Sequence, residues 1–320
     1  MTADKYAYDP EFLDLIAVLP TQLADLSDPA SIREMRAGGL AEMIGERPDR
    51  DDVRKDDRTV PGRAGDPDVP VRIYTPTTAV DGLRGALVYI HGGGFMFGSI
   101  DMMDDACQTY AAEADAVIVS VEYRHAPEDP FPAGLEDCYA ALVWTAANAA
   151  ELGVDPARIG VGGGSAGGGL SAATALLARD RGGPALCFQF LQIPELDDRL
   201  QTPSMQTFTD TPLWNRPNAE WSWKHYLGGL HGSDDIPYLA APSRCPDLSG
   251  LPPAYITTME FDPLRDEGIV YAMDLMRDGV QVELHAYPGT FHGSTLVQDA
   301  AVSKQSGRDA FGALGRALSR

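Results

Sequence analysis

Residues 160–169 read GVGGGSAGGG, and two different devices fit those letters. Gly162, Gly164 and Gly167 satisfy G-x-G-x-x-G, the loop that holds a dinucleotide pyrophosphate at a helix N-terminus. Gly163, Ser165 and Gly167 satisfy G-x-S-x-G, the sharp turn that presents a nucleophilic serine. Both require a strand before and a helix after, and RIGVGG (158–163) followed by SAGGGLSAATALLARD supplies them for either. The decision therefore lies elsewhere in the chain. A dinucleotide fold opens its first βα turn with this loop and carries an acidic residue about 20 positions on, at the end of the next strand. Here the loop follows the fourth or fifth strand. Asp180 has roughly that offset but ends a helix, whereas Glu195 ends a strand but stands too far away. No lysine follows the glycines, which removes a P-loop as well.

The serine reading makes three demands that the sequence meets. The turn needs small neighbours because helix and strand approach closely there, and Gly163 and Gly167 provide them. A base and its orienting acid should follow in the order Ser, acid, His. FDPLRDE sets Asp262 on the loop after the strand AYITTME (254–260), and PGTFHGS sets His292 on the loop after VELHAY (282–287). In an open α/β sheet the crevice lies outside the C-terminal strand ends, so Ser165, Asp262 and His292 share that rim. The third demand is an oxyanion hole. HGGGFMFG (91–98) follows the strand ALVYI, and its run of Gly92, Gly93 and Gly94 lets backbone amides point at developing charge without side chains in the way. Gly93 and Gly94 are the leading donors, joined by Ala166, the residue after the nucleophile.

Outward from these motifs, short β-branched runs at 71–75, 85–90, 116–123, 158–163, 185–193, 254–260 and 282–287 alternate with stretches of helix length. Strands apolar on both faces and separated by helices predict an α/β fold with a mainly parallel sheet covered on two sides. The charged segment 46–69 reads as a solvated connection or an edge hairpin. Residues 10–45 show helical apolar spacing at Phe12, Leu13, Leu15 and Ile16, then at Leu40, Met43 and Ile44. The alternation lapses at 195–250, a proline-rich stretch holding three of the four tryptophans, and reads as an inserted helical cap. The expected division is an N-terminal cap segment (1–45), a core in two parts (46–194 and 251–320), and the cap insertion (195–250).

Composition removes other classes of function. The formal net charge is −22, which argues against nucleic acid or an anionic membrane surface as partner, since both need a basic patch. No run reaches the roughly 18 apolar residues of a membrane span. The first 20 residues carry acids where a secretory signal needs a basic start, so the expected compartment is the cytoplasm. Cys107, Cys138, Cys187 and Cys245 are far apart with no metal-ligand spacing and read as free thiols.

HGGG, YRHAPEDPFPA (123–133), GGSAGG, DPLRDEG and FHG together resemble the hormone-sensitive-lipase-like branch of the α/β-hydrolases, the bacterial family IV esterases. The resemblance runs from about Val71 to the C-terminus. PELDDR, TPLWNRPNAEWSWKHYLG and AAPSR resemble an acetylesterase of that branch. This implies an α/β-hydrolase fold with an eight-stranded sheet and a helical cap. It also implies hydrolysis of short-chain acyl esters by water without metal or cofactor. Lactone or amide hydrolysis, or a non-catalytic ligand-binding relative, are the alternatives. The last strand and helix form a dimer edge in members of the family, which allows a homodimer. Two departures stand out: Gly164 where many members carry an acid, and His125 where leucine is usual.

Other polar residues have plainer readings. His91 is expected to brace the glycine loop by hydrogen bonds. Asp266 and Glu267 open a helix, with Arg265 as their ion-pair partner. Glu195, Asp197 and Asp198 read as a solvated or salt-bridged turn. Phe95, Phe97 and Trp214 are candidates for an acyl or alcohol pocket.

Overall fold

The computed structural model describes residues 5–22, 24–39 and 48–319. Eight strands form one sheet: β1 (Val53–Val60), β2 (Val69–Pro76), β3 (Arg84–Ile90), β4 (Val117–Val121), β5 (Val154–Gly164), β6 (Phe188–Gln192), β7 (Ala254–Phe261) and β8 (Val282–Phe291). Their order is β1-β2-β4-β3-β5-β6-β7-β8. β1 and β2 run antiparallel to their neighbours. All pairings from β4 through β8 are parallel. Within the charged 46–69 segment the described residues form one arm of an edge hairpin, with Val60 opposite Val69. Lys and Arg side chains along β1 suit an edge, since charge discourages pairing with other chains.

The period of two in the strands sorts side chains onto two faces. On β3 and β4, Val88, Ile90, Val117, Val119 and Val121 enter one buried cluster, while Leu87, Tyr89 and Ile118 enter another. The first cluster is closed by the helices α2 (Ala133–Ala147), α3 (Ala166–Arg181) and α5 (Arg265–Arg277), through Leu142, Leu176 and Leu275. The second is closed by α1 (Asp104–Ala114) and α6 (Ala301–Leu318), through Cys107, Ala111, Ala313 and Leu314. A sheet buried on both faces explains why the strands read as continuous apolar runs. Among the described residues none belongs to a helix long and apolar enough to cross a membrane.

Between β6 and β7 the chain forms helices and turns. The short helix Pro203–Thr207 precedes α4 (Arg216–Leu227). Asn215 caps α4 by accepting from the Asn218 amide at 3.3 Å, and Pro217 sits in the first turn, where its missing N–H costs nothing. The N-terminal chain packs against this insertion. Leu213 N donates to Pro20 O at 3.0 Å, Asn215 Nδ2 to Thr21 O at 2.7 Å, and His225 Nε2 to Leu26 O at 2.7 Å. Phe12 ends a short turn, Pro10–Phe12, and Ile32 lies in the helix Pro29–Glu34. Leu40, Met43 and Ile44, which carried the second half of the helical spacing, lie outside the described residues.

Candidate active site

β5 ends at Gly164 and α3 begins at Ala166, so Ser165 occupies the turn between them. Its φ of 58° and ψ of −124° are a costly conformation for a residue with a Cβ, on the order of 1–3 kcal/mol. The surroundings hold it there. Ser165 N donates to Gln192 O at 2.9 Å, and its carbonyl accepts from Gly169 N and Glu195 N, each at 3.0 Å. Space is equally constrained. A Cβ on Gly163 would lie 2.1 Å from the Ile90 carbonyl oxygen, and one on Gly167 would meet the same atom at 2.1 Å. Only glycine lets α3 start this close to β3.

Asp262 follows β7 and is fully buried. Its Oδ1 accepts from Leu264 N at 2.9 Å and its Oδ2 meets His292 Nδ1 at 2.7 Å. Because a carboxylate only accepts, Nδ1 carries the proton and Nε2 keeps its lone pair. His292 follows β8 and packs its ring 5.9 Å from that of Trp214. Trp214 in turn lies over Gly94, whose added Cβ would come within 2.4 Å of Cη2. Gly92 abuts the nucleophile turn: its Cβ would lie 2.8 Å from Gly164 O and 3.3 Å from Ser165 Cβ. The structure therefore sets Asp262 against His292, the glycine loop against the Ser165 turn, and Trp214 between that loop and His292.

Gly93 and Gly94 take positive φ, 123° and 58°. Neither amide donates to a protein acceptor among the described residues. The Ala166 amide, first of α3, has no intrahelical acceptor, and the helix places its positive dipole end there. His91, as the sequence suggested, braces this loop: its Nδ1 bonds the Gly92 carbonyl at 2.9 Å and its ring stacks on Tyr123 at 4.3 Å.

The pocket candidates separate. Trp214 touches both Gly94 and the His292 side. Phe95 stacks on Tyr226 at 3.9 Å, and Phe97 is packed with Leu26, Ile32 and Met96, so protein side chains occupy their surfaces. The acidic turn also separates. Asp197 pairs with Arg199 at 2.6 Å and Asp198 with Arg244 at 2.5 Å, as a salt-bridged turn should.

Glu195 differs from that expectation. It is fully buried, and neither carboxyl oxygen has a hydrogen-bond partner among the described residues. Burial pushes it up to about 8, with the Asp262 charge adding to the rise. Arg265 pairs with Asp266 at 2.7 Å but not with Glu267. Glu267 is buried and raised well above the usual carboxylate range by desolvation; one oxygen accepts from Leu196 N at 2.6 Å. The sequence signal for Glu195 was a lone acid in the run ALCFQFLQIPEL, whose other polar residues are the uncharged Gln189 and Gln192. It was outweighed by the two aspartates that follow.

The family described as alpha/beta hydrolase fold matches residues 87–296. The carboxylesterase NlhH of Mycobacterium tuberculosis is 47% identical over 272 residues, covering 83% of this chain and 84% of that protein. The esterase LipI of the same species is 38% identical over 91% of this chain and 89% of its own. Among solved structures, bacterial heroin esterase superposes with a TM-score of 0.92 at 49% identity, covering 98% of both chains. The esterase LipW from Mycobacterium marinum follows with a TM-score of 0.83 at 35% identity, over 97% of this chain and 96% of that one. With its sheet order, its serine turn and these relatives in agreement, the chain belongs to the α/β-hydrolase family, in the hormone-sensitive-lipase-like branch that its motifs resemble.

Proposed function

We propose that the chain is a serine carboxylesterase that hydrolyses short-chain acyl esters through an acyl-enzyme. The observation that carries this reading is the His292–Asp262 contact at 2.7 Å on the same rim as a serine held at positive φ. Ser165 Oγ attacks the ester carbonyl while His292 Nε2 takes its proton, and Asp262 keeps the imidazole in the required tautomer and steadies its charge. The amides of Gly93, Gly94 and Ala166, in a loop that Gly92 lets approach the serine, hold the oxyanion. One such donor is worth about 3–4 kcal/mol of transition-state stabilisation. His292 then protonates the leaving alcohol and activates water for deacylation. No metal or cofactor enters these steps.

The N-terminal segment and the 195–250 insertion act together as the cap. The hydrogen bonds between residues 20–26 and 213–225 support this, and Trp214 on the insertion is the wall that limits the acyl chain. The enzyme works as a cytoplasmic protein, and β8, an edge strand, supplies the surface for a homodimer.

Hydrolysis of nitrophenyl acetate and butyrate tests the reading. Ser165→Ala should lower kcat/KM by at least about 10⁴-fold without changing the thermal midpoint downward. Unchanged turnover in that variant refutes it. In a chain-length series, Trp214→Ala should move the preference toward longer acyl groups.

A further inference from the structure

β3 and β4 lie side by side and parallel, so His91 and Glu122, each just beyond a strand end, emerge together, and His125 follows three residues later. One potential ligand atom from each of the three lies within 4.8 Å of the others. His91 is fully buried and His125 is 8% exposed. Both imidazoles spend one nitrogen in the same way. His91 Nδ1 donates to the Gly92 carbonyl at 2.9 Å, and His125 bonds the Phe97 carbonyl. A carbonyl only accepts, so each ring carries its proton on that side, and each Nε2 is an unprotonated lone pair. Neither Nε2 has a hydrogen-bond partner among the described residues. Glu122 uses Oε2 to accept from Ile100 N at 2.7 Å, and its Oε1 has no bond from that amide.

Two buried, unpartnered imidazole lone pairs beside a carboxylate are costly as they stand, because a desolvated acceptor without a donor forfeits its hydration. They are also the donor set of a zinc-type ion, with the second ring nitrogen of each histidine already tied to a backbone carbonyl, as metal-bound histidines are. We propose that His91, His125 and Glu122 form a binding site for a divalent transition metal of the zinc class behind the glycine loop, separate from the ester-hydrolysing groups.

The site takes two nitrogens and one carboxylate oxygen, with water as the fourth ligand. That set favours Zn²⁺, Co²⁺ or Ni²⁺ over Mg²⁺ or Ca²⁺, which seek oxygen. Tetrahedral Zn²⁺ with ligands at about 2.0–2.1 Å places its donors about 3.4 Å apart, so the three residues close inward by about 1 Å or less in each direction. Proton competition is weak at neutral pH. Burial holds His91 down at about 4 and His125 at about 2, the latter helped by the charges of His91 and Arg36. Arg36 is the cation facing this corner, and it is engaged with Met96 O, Ala126 O and the Glu128 carboxylate. Asp101 and Arg72 act on Glu122 with opposite sign. The sequence hides the site because 31 positions separate His91 from Glu122, and only the parallel pairing of β3 with β4 joins them. His125 stands where leucine is usual in the family that the motifs resemble.

Chelator-treated full-length protein titrated with ZnCl₂ tests the proposal. One equivalent should bind with a measurable calorimetric signal, and CoCl₂ should give visible absorption of a low-coordinate complex. A hundredfold excess over Kd should raise the thermal midpoint by about 5 °C. His125→Leu and Glu122→Gln should each weaken zinc binding at least tenfold and remove that rise. Absence of one-equivalent uptake by the wild type overturns the proposal. So does unchanged affinity in His125→Leu, which would assign the ion to surface groups such as His285 with Glu283. Should His125→Leu fail to fold, Glu122→Gln decides alone, because glutamine keeps an acceptor for the Ile100 amide.

Discussion

The loop at 91–98 and the turn at 162–169 meet beside Ser165, and both are built of glycine. In the turn, Gly163 and Gly167 do not use positive φ; they are glycine because backbone carbonyls of β3 stand where a Cβ would go. In the loop, Gly93 and Gly94 use positive φ. The first pair serves packing alone, whereas the second combines positive φ with close neighbours, Phe97 O at 2.3 Å from a Cβ on Gly93 and Trp214 Cη2 at 2.4 Å from one on Gly94. Substitutions should therefore fail differently in the two places, by loss of the fold in one and by loss of turnover in the other.

The sharpest way to break that contrast is Gly167→Ala. The new Cβ would lie 2.1 Å from Ile90 O and 2.5 Å from His91 O, both backbone atoms that cannot rotate aside. Overpacking against fixed atoms costs about 3 kcal/mol or more, and the thermal midpoint should drop by about 5 °C or more, or soluble protein should not be recovered. A wild-type melting curve would mean that the helix start is looser than the spacing implies. Gly93→Ala probes the other loop. At φ 123°, with Phe97 O 2.3 Å from the added carbon, the loop must reshape. Its amide should leave the oxyanion position, lowering kcat/KM by about 10²–10³-fold. Its midpoint should fall less than that of Gly167→Ala. A variant that melts early yet turns over normally would reverse the assignment of the two loops.

The two regions are also backed by buried titratable groups of opposite kind. Under the loop lie the two neutral imidazoles of His91 and His125. Under the turn lies Glu195, whose amide bonds the Ser165 carbonyl and whose own carbonyl oxygen would sit 2.0 Å from a Cβ on Gly169. Glu195 titrates at about 8 in the fold against about 4.5 unfolded. The folded state thus binds the proton more tightly, and the stability this gives is complete below about pH 4.5 and lost as pH rises through about 8. Glu195→Gln, an isostere of the protonated acid, should match the wild type at pH 5. It should be more stable at pH 9 by a few kcal/mol, read as a midpoint several degrees higher. Equal midpoints at pH 9 would show that the carboxyl is solvated.

What was legible in the sequence, and what was not, follows the same physical line. Ser165, Asp262, His292 and HGGG could be read because each sits just past a strand's C-terminal end, and such ends can be counted from apolar runs. Seven of the eight strands were visible for the same reason, since burial on both faces leaves continuous β-branched letters; the charged edge strand β1 carries no such run. Glu195 was misread as part of a solvated turn. Its neighbours Asp197 and Asp198 do pair with arginines, and nothing local says that two residues before Asp197 an acid is buried without such a partner. The pairing of His91 with His125 needed the strand order, which places β4 beside β3 instead of beside β5. Phe95 and Phe97 looked like pocket residues by their nearness to HGGG, but a loop turning at positive φ sends its aromatic side chains back into the core.

Gly164 gives the smallest effect and the finest test of the contrast, because it is a glycine in the turn that answers neither need. Its φ is not positive, and the only atom near an added Cβ is Gln192 O at 3.9 Å, an ordinary contact. Room alone therefore does not explain the absence of the acid that many relatives carry before the serine. Gly164→Asp should fold with a midpoint within about 2 °C of wild type, since a substitution free of strain and clash typically stays within about 0.5 kcal/mol. Turnover of nitrophenyl acetate should stay within about twofold, because the residue does not touch the oxyanion donors. A loss as large as that of Gly167→Ala would mean that the turn tolerates no side chain at all, and the separation of glycine for room alone from glycine for positive φ would collapse into one requirement.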